Sequence, residues 1–290
     1  EGQITPTQAS SLNSVDAISI TATVTPATAA ILGGITVRSG RTNAFTLTPT
    51  DLSATASALK AVKDKTSLGG NFANVATITA SPSADITALF APLATNGTSA
   101  NTTFKSDITI NVNDTSIAAS TLNSFNLLTT TAVVTTATTI TGGASDVKTA
   151  LGAGITHGAA VAVTITEATT AANLLNDVNG LTDGTVTVQS SRVTGNYTDV
   201  STALSANAAT PVNGNTISGM DAINATLDNS NGGTVSYTPL EIRVVSSRTT
   251  GIVTATASSG DPTALLNATT GLAETGHAIT IVVTDNTPTA

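Results

Sequence analysis

Apolar and polar residues alternate along two matching stretches of the chain. Residues 108–114 show this alternation, which is typical of a strand with one buried face. Residues 161–167 repeat it 53 positions later. Each stretch is followed by apolar residues at helical spacing, over residues 117–125 in the first copy and 170–178 in the second. The pattern predicts a strand followed by a short helix, used twice.

A second strand and a second helix complete each copy at the same offset. The predicted strands end at residues 140–142 and 193–195, and the predicted helices cover residues 146–151 and 199–204. We therefore predict a repeat of 53 residues with two strand–helix halves, each of roughly 26 residues.

Weaker copies of the pattern flank this pair. The further predicted strands cover residues 45–47, 74–79, 234–237, 240–245 and 279–285, and the further predicted helices cover 51–62, 85–90, 217–227 and 261–266.

Local signals mark several predicted helix starts. A capping residue stands before a proline in Thr48-Pro49, Ser81-Pro82 and Asp261-Pro262. Acidic residues that complement the helix dipole are predicted in the first turns at Asp51, Asp146 and Asp199.

Alternation of strands and helices implies parallel strands that are joined by helical crossovers. The predicted fold is an α/β repeat, an elongated stack of short strand–helix units with mainly parallel strands. All-β sandwich or β-solenoid domains are the alternative, because Thr and Val favour strands.

The predicted core follows from the period of each element. The apolar positions of the two strands should be buried, and the residues between them should face away from the helices. The buried set is Ile108, Ile110, Val112, Val161, Val163 and Ile165, covered by Leu122, Phe125, Leu151, Leu174, Val178 and Leu204, whereas Thr109, Asn111, Ala162 and Thr164 face outward.

The predicted organisation has five segments. Residues 1–93 carry N-terminal repeats, of which the first is incomplete, and residues 94–107 form a linker. Residues 108–206 hold the two 53-residue repeats, residues 207–276 a divergent repeat, and residues 277–290 a terminal strand and tail.

Composition narrows the range of functions. The 290 residues include 60 Thr and 27 Ser, whereas charged residues are 10% and there is no Cys. Two His and ten basic residues leave few groups for acid–base or nucleophilic chemistry, so we expect no enzyme. The net charge of −8 disfavours nucleic acid, and no stretch has the composition of a membrane-inserted helix.

The repeats resemble a family of large bacterial surface proteins that are built from β-strand repeats and are common in marine cyanobacteria. The likeness is carried by residues 108–114, by Ala118-Ala119 with Leu122-Asn123, and by residues 140–147. It is good over residues 108–206, weaker over 1–93 and poor over 207–276. The resemblance implies an extracellular filament or surface layer, sometimes beside calcium-binding repeats, and no catalytic residues.

Carboxylates that end the predicted strands are candidate calcium ligands. Asp114, Glu167 and Asp285 occupy equivalent strand ends, and carboxylate oxygens suit Ca²⁺. Structural capping is the alternative for the same residues, and no other cofactor is expected. Arg192 and Arg248 recur in a Ser-Ser-Arg turn and could clamp a carboxylate or a cell-surface glycan; a solvated arginine at a strand end is the alternative.

The two ends of the chain are complementary in the phase of the repeat. Residues 9–15 match the helix at 119–125 but follow only Ile4, and residues 279–285 match a strand without its helix. We expect head-to-tail self-assembly in which a terminal strand completes the next subunit, because an unpaired apolar strand edge is a liability. The alternative is that the chain is part of a longer polypeptide. The predicted assembly residues are Ile279, Ile281, Val283, Leu12 and Val15.

These observations predict a noncatalytic structural subunit or segment of an extracellular filament, sheath or surface layer, located outside the cell or at its surface. A virion appendage, fibre or decoration protein is one alternative. An adhesin or glycan-binding surface module is another.

Overall fold

A computed structural model describes residues 2–14, 19–38, 43–91, 103–152, 154–207, 216–228, 236–259 and 277–283. Within these residues the helices are α1 (Pro6–Leu12), α2 (Ala29–Gly33), α3 (Ala56–Lys63), α4 (Ser83–Phe90), α5 (Ala119–Asn126), α6 (Ala144–Leu151), α7 (Ala172–Leu181), α8 (Tyr197–Ala206) and α9 (Pro239–Ser246).

The strands of the described residues are short in the first half of the chain and longest near its end. They are β1 (Thr21–Thr23), β2 (Ala44–Thr46), β3 (Ser53–Ala54), β4 (Asn71–Phe72), β5 (Thr77–Ser81), β6 (Thr103–Phe104), β7 (Thr109–Val112), β8 (Ser116–Ala118), β9 (Val133–Thr135), β10 (Thr139–Gly142), β11 (Ile155–Thr156), β12 (Ala162–Ile165), β13 (Thr169–Ala171), β14 (Val186–Val188), β15 (Arg192–Gly195), β16 (Ile217–Ser218), β17 (Asn224–Leu227), β18 (Val253–Ser259) and β19 (Ala278–Val283).

The chain divides into two compact units. Unit 1 comprises Glu1–Ile117, Thr121–Ala137 and Gly154–His157, and unit 2 comprises Ala118–Ser120, Thr138–Ala153 and Gly158–Ala290.

Unit 1 contains a parallel sheet in the order β11-β9-β7-β5-β3, with the two-stranded parallel sheets β1-β2 and β4-β6. Helix α3 packs against both α2 and α4. We call one structural repeat of the chain a coil. In this unit a coil consists of two strands followed by one helix, as in β4, β5 and α4.

Unit 2 repeats this architecture with two large parallel sheets instead of one. One parallel sheet of unit 2 has the order β16-β14-β12-β10 and another the order β13-β15-β17-β18-β19. Helix α7 packs against α6 and α8, and α8 packs against α9. The predicted α/β repeat with parallel strands is therefore confirmed. Each predicted strand–helix half contains two strands, because a tight turn divides the extended segment.

The predicted core is confirmed with one exception. All six predicted strand residues are at most 3% exposed, and the four outward residues are half-buried. Five of the six predicted helix residues are also buried, but Leu174 is half-buried, and Leu175 is fully buried in its place. The rotation of α7 puts the second of the two adjacent leucines on the core face.

The divergent segment was assigned to the wrong elements. The predicted helix at 217–227 is instead the strands β16 and β17, which extend the two sheets of unit 2 in register. Gly219, with φ of +87°, separates these strands in a conformation that a helix does not contain.

The predicted strand at 240–245 is instead helix α9. Thr238 caps it, Pro239 opens its first turn, and the Glu241 side chain completes a capping box. These start signals are present in the sequence and outweigh the strand preference of Ile242 and the valines that follow it. The predicted elements at 234–237 and 261–266 lie partly or wholly outside the described residues.

Two predicted helix starts are also displaced. Helix α3 begins at Ala56 with Thr55 as its cap, so Asp51 and Pro49 precede the helix and its first turn. Pro82 is itself the cap residue of α4, while the Ser81 hydroxyl accepts from the Ala56 N–H of α3. Asp146 and Asp199 stand in first turns as predicted. Asp261-Pro262 lies outside the described residues.

Candidate functional site

The strand-end carboxylates hold the N-termini of helices that precede them in the chain. Asp114 accepts from the Ser83 N–H at 2.6 Å and from its hydroxyl at 3.1 Å, at the start of α4. Glu167 accepts from the Ala144 N–H of α6 at 3.2 Å. Asp51 accepts from the Ala29 N–H of α2 at 2.5 Å.

These bonds give the acidic residues a structural role. A carboxylate at a helix N-terminus satisfies an N–H that has no partner within the helix and complements the helix dipole. Asp114 and Glu167 serve different helices and do not converge on one point. In the described part of the chain, no group of three His, Cys, Asp or Glu residues is placed to hold a metal ion. Asp285 lies outside the described residues.

A repeated threonine after the helix binds the preceding coil. Its hydroxyl donates to a backbone carbonyl that lies within a strand or directly before one, 21 to 26 residues earlier, at 2.5 to 2.7 Å. We call these residues the threonine staples. The donor and acceptor pairs are Thr66 with Phe45, Thr129 with Ile108, Thr182 with Val161 and Thr249 with Ile223.

Each staple hydroxyl also accepts a hydrogen bond from the backbone N–H two residues later. The donors are Leu68, Thr131, Gly184 and Gly251. Three of the four staples are buried, and Thr129 is half-buried. One hydroxyl therefore closes a turn and fastens it to the neighbouring coil, which satisfies two backbone groups at once.

Sequence reasoning missed the threonine staples. Their signal is a threonine followed two residues later by glycine, as in Thr182 with Gly184 and Thr249 with Gly251. In a chain with 60 threonines that signal is hard to separate from the background. Only the paired carbonyls distinguish the staples from surface threonines.

In two of the turns, the glycine two residues after the staple threonine permits a close approach to the backbone of the preceding coil. A Cβ at Gly184 would lie 2.3 Å from the Val161 carbonyl oxygen, and one at Gly251 would lie 2.1 Å from that of Ile223. Real Cβ atoms do not come so near backbone oxygen. These two turns can therefore contain only glycine without moving away from the preceding coil.

The predicted assembly residues are found at both ends of the described chain. Ile279 is half-buried in β19, whose backbone also includes Ile281 and Val283. Strand β19 pairs with β18 over six residues, from Thr254 with Ala278 to Ser259 with Val283. In the described part of this sheet, β19 is the outermost strand.

The N-terminal coil contributes one exposed apolar residue. Leu12 ends helix α1 and is 43% exposed. Ile4 forms an isolated parallel bridge with Val24, which agrees with the prediction that only Ile4 remains of the first strand. Val15 lies outside the described residues.

The Ser-Ser-Arg turns are not equivalent in the structure. Arg192 opens strand β15, whereas Arg248 follows helix α9 and donates to the Ser201 carbonyl at 2.8 Å. His277 precedes β19, and its Nδ1 accepts from the Val253 N–H at 3.1 Å. The two arginines therefore lie in different local structures, and glycan binding by either one stays a prediction.

A buried lysine joins two helices of unit 1. The Lys63 ammonium donates to the Leu89 carbonyl at 2.7 Å and to the Ala91 carbonyl, at the C-terminus of α4. The lysine is 3% exposed, and this burial lowers the pKa of Lys63 from its ordinary value of 10.5. The hydrogen-bonded carbonyls complement its charge at the negative end of the helix dipole.

No family model, curated protein or solved structure matches the chain. Among the described helices, none combines the length and the apolar character that crossing a bilayer requires.

Proposed function

We propose that this chain is a noncatalytic structural subunit or segment of an extracellular filament, sheath or surface layer that associates head to tail through strand β19. The observation that carries the proposal is the position of β19 as the outermost strand in the described part of a five-stranded parallel sheet. An edge strand presents backbone N–H and C=O groups that can template another chain.

The repeated coil explains why addition at this edge would propagate. Each coil of unit 2 adds strands in register with the previous coil, so the edge has the geometry that the next coil matches. A second copy that docks its N-terminal coil, with Ile4 and Leu12, would extend the sheet and bury apolar surface. Such a contact joins different surfaces of the two copies and repeats along a fibre.

The polar interior supports a structural role. The buried hydroxyls of Thr66, Thr182 and Thr249 are engaged in fastening coils together. Asp114 and Glu167 are engaged at helix N-termini. The extracellular location is supported by the resemblance to bacterial surface repeat proteins and by the absence of cysteine, with stability supplied by repetition.

A charge placed on the edge strand tests the assembly. Ile279→Lys puts an ammonium on the half-buried face of β19, whereas the matched control Thr280→Lys puts it on the exposed face. Fibres of the purified chain are examined by negative-stain electron microscopy, and mass by sedimentation. We expect fibres from the parent chain and from Thr280→Lys, and none from Ile279→Lys.

Two results would contradict the proposal. One is a parent chain that stays monomeric at high concentration. The other is normal fibres from a chain that lacks residues 278–290. Labelling of intact cells and of purified virus particles with an antibody tests the location and distinguishes a cell-surface layer from a virion component.

A further inference from the structure

One sheet of unit 2 carries a regular array of hydroxyl groups on its outer face. The inward residues of its strands β10, β12, β14 and β16 are buried at 1% exposure or less, namely Ile140, Val163, Val186 and Ile217. The residues on either side of these four point away from the core, because side chains alternate along a strand.

The outward residues form two rows across four strands, which we call the hydroxyl array. Pairing aligns Thr141 with Thr164, Thr164 with Thr187, and Thr187 with Ser218. The Ser218 hydroxyl donates to that of Thr187 at 3.3 Å, so neighbouring side chains of the row meet on one face. The second row, two residues earlier along the chain, consists of Thr139 in β10, Ala162 in β12, Thr185 directly before β14 and Thr216 directly before β16.

Strand geometry fixes the spacing of the array. Neighbouring strands lie about 4.8 Å apart, and residues two apart along a parallel strand are separated by about 6.6 Å. Seven of the eight positions carry a hydroxyl, and all eight are half-buried or exposed. The result is a two-dimensional lattice of hydroxyl and methyl groups that is fixed by the backbone of the sheet.

The chemistry of the array excludes most ligands. None of its eight residues is charged, so it offers nothing to a nucleic acid, an anionic lipid or a charged polymer. None is aromatic, so it lacks the flat apolar rings on which sugar rings stack. A matching partner must be uncharged, hydrogen-bonding and periodic in two dimensions.

We propose that the hydroxyl array binds the surface of ice. Ice presents uncharged, hydrogen-bonding oxygen atoms in a lattice that is periodic in two dimensions, which is the kind of partner that the array requires. Each threonine hydroxyl donates and accepts hydrogen bonds, so it can take the place of a lattice water. Each threonine methyl group orders the water beside it. The rigid sheet presents these groups together, without an ordering cost on binding.

The other large sheet of unit 2 supplies a matched control surface. Its outer face also has a threonine row, in which Thr194 pairs with Thr226 and Thr226 with Thr254. The row beside it contains Arg192 and Asn224 instead of hydroxyls. A charged side chain interrupts the lattice there, so this face should not bind ice.

The experiment compares two double variants of the full chain, and it is independent of fibre formation. Thr164→Lys with Thr187→Lys places two charges in the centre of the array, and Thr226→Lys with Thr254→Lys places the same pair on the control sheet. Thermal hysteresis and the incorporation of fluorescently labelled protein into a growing ice crystal are measured. Circular dichroism checks that each variant is folded.

We expect hysteresis and incorporation for the parent chain and for the control variant, and loss of both for the array variant. If the array variant is unfolded, Thr164→Tyr replaces it, because Tyr favours strands and disrupts the flat surface. Exclusion of the parent chain from ice would overturn the proposal. Equal loss of hysteresis in the array and control variants would overturn it as well.

Discussion

The turn that follows a staple threonine differs between the two units. In unit 1 the residue two positions after the staple is Leu68 or Thr131, which have side chains. In unit 2 the same position is Gly184 or Gly251, and the space for a side chain is occupied by a carbonyl of the preceding coil. The same hydrogen bonds therefore form whether the turn lies close to the carbonyl of the preceding coil or further from it. The close approach requires glycine.

The helix layers also differ. In unit 1, α3 and α4 are joined by the buried Lys63, which donates to carbonyls at the end of α4. In unit 2, α6 and α7 are joined by an ion pair between Lys148 and Asp177, whose side chains are nearly half exposed. Unit 1 thus depends on a buried charge between these helices, whereas unit 2 has a solvated pair of little energetic weight.

The largest expected effect is at the glycine of the close turn. Gly184→Ala should lower the free energy of unfolding by about 3 kcal/mol, because the new Cβ would overlap the Val161 carbonyl. Urea unfolding of the full chain measures the loss. The control is Gly180→Ala in α7, which has no atom within 4 Å of the added Cβ and should be stabilising. Equal stability of the parent chain and Gly184→Ala would show that the turn can move away.

The staple hydroxyl should matter more in unit 2 than at Thr129 in unit 1. Thr182→Val should cost about 2 kcal/mol, because it leaves the Val161 carbonyl and the Gly184 N–H without this hydroxyl partner. Thr129→Val should cost less, since the Thr131 hydroxyl also donates to the Ile108 carbonyl at 2.8 Å. Urea unfolding of both variants measures the difference. Thr182→Ser, which retains a hydroxyl, is the control, and equal losses at the two staples would contradict the comparison.

The contribution of Lys63 to the free energy of unfolding should depend on pH, which distinguishes the two helix layers. Lys63→Met should cost about 1.5 kcal/mol at neutral pH, because the carbonyls at the end of α4 lose their donor. The lysine pKa is lower in the folded chain than 10.5, so between these values the unfolded chain binds more protons. The parent stability should therefore rise with pH in that window, and that contribution should be missing in Lys63→Met.

Thermal unfolding measured from neutral to alkaline pH gives both quantities. Lys148→Met, which removes the exposed ion pair, is the control and should change stability by less than about 0.5 kcal/mol. A loss at Lys148 as large as that at Lys63 would remove the distinction between the two helix layers.

The smallest expected effect is at the carboxylate caps. Asp114→Asn should cost about 1 kcal/mol, because it removes the charge that accepts two hydrogen bonds at the start of α4. Glu167→Gln should cost less, since Glu167 accepts from α6 over the longer distance of 3.2 Å. Thermal unfolding at low ionic strength measures both changes. A change that is insensitive to salt would argue against an electrostatic origin.

The fold was predictable where the period of the hydrophobic pattern is strong. Residues 108–114 and 161–167 have one buried face and a fixed offset, and both became strands with the predicted residues in the core. The strand predicted at 240–245 was wrong because a short apolar run has no clear period. The capping signals at Thr238 and Glu241 instead determined that this segment is a helix. The prediction that Asp51 lies in the first turn of the helix that follows it was wrong for another reason. Its partner, the Ala29 N–H, lies in an earlier coil.

The sequence by itself determined the alternation of strands and helices and the apolar face of each central strand, because these depend on local spacing. Only the tertiary structure decided which polar groups meet. Nothing in the local sequence distinguishes the hydrogen bonds of Thr182 and Asp114, because their partners lie 21 and 31 positions earlier. The stacking of coils brings these positions together through the register of the parallel strands, and the partner of each residue depends on the length of every turn between them.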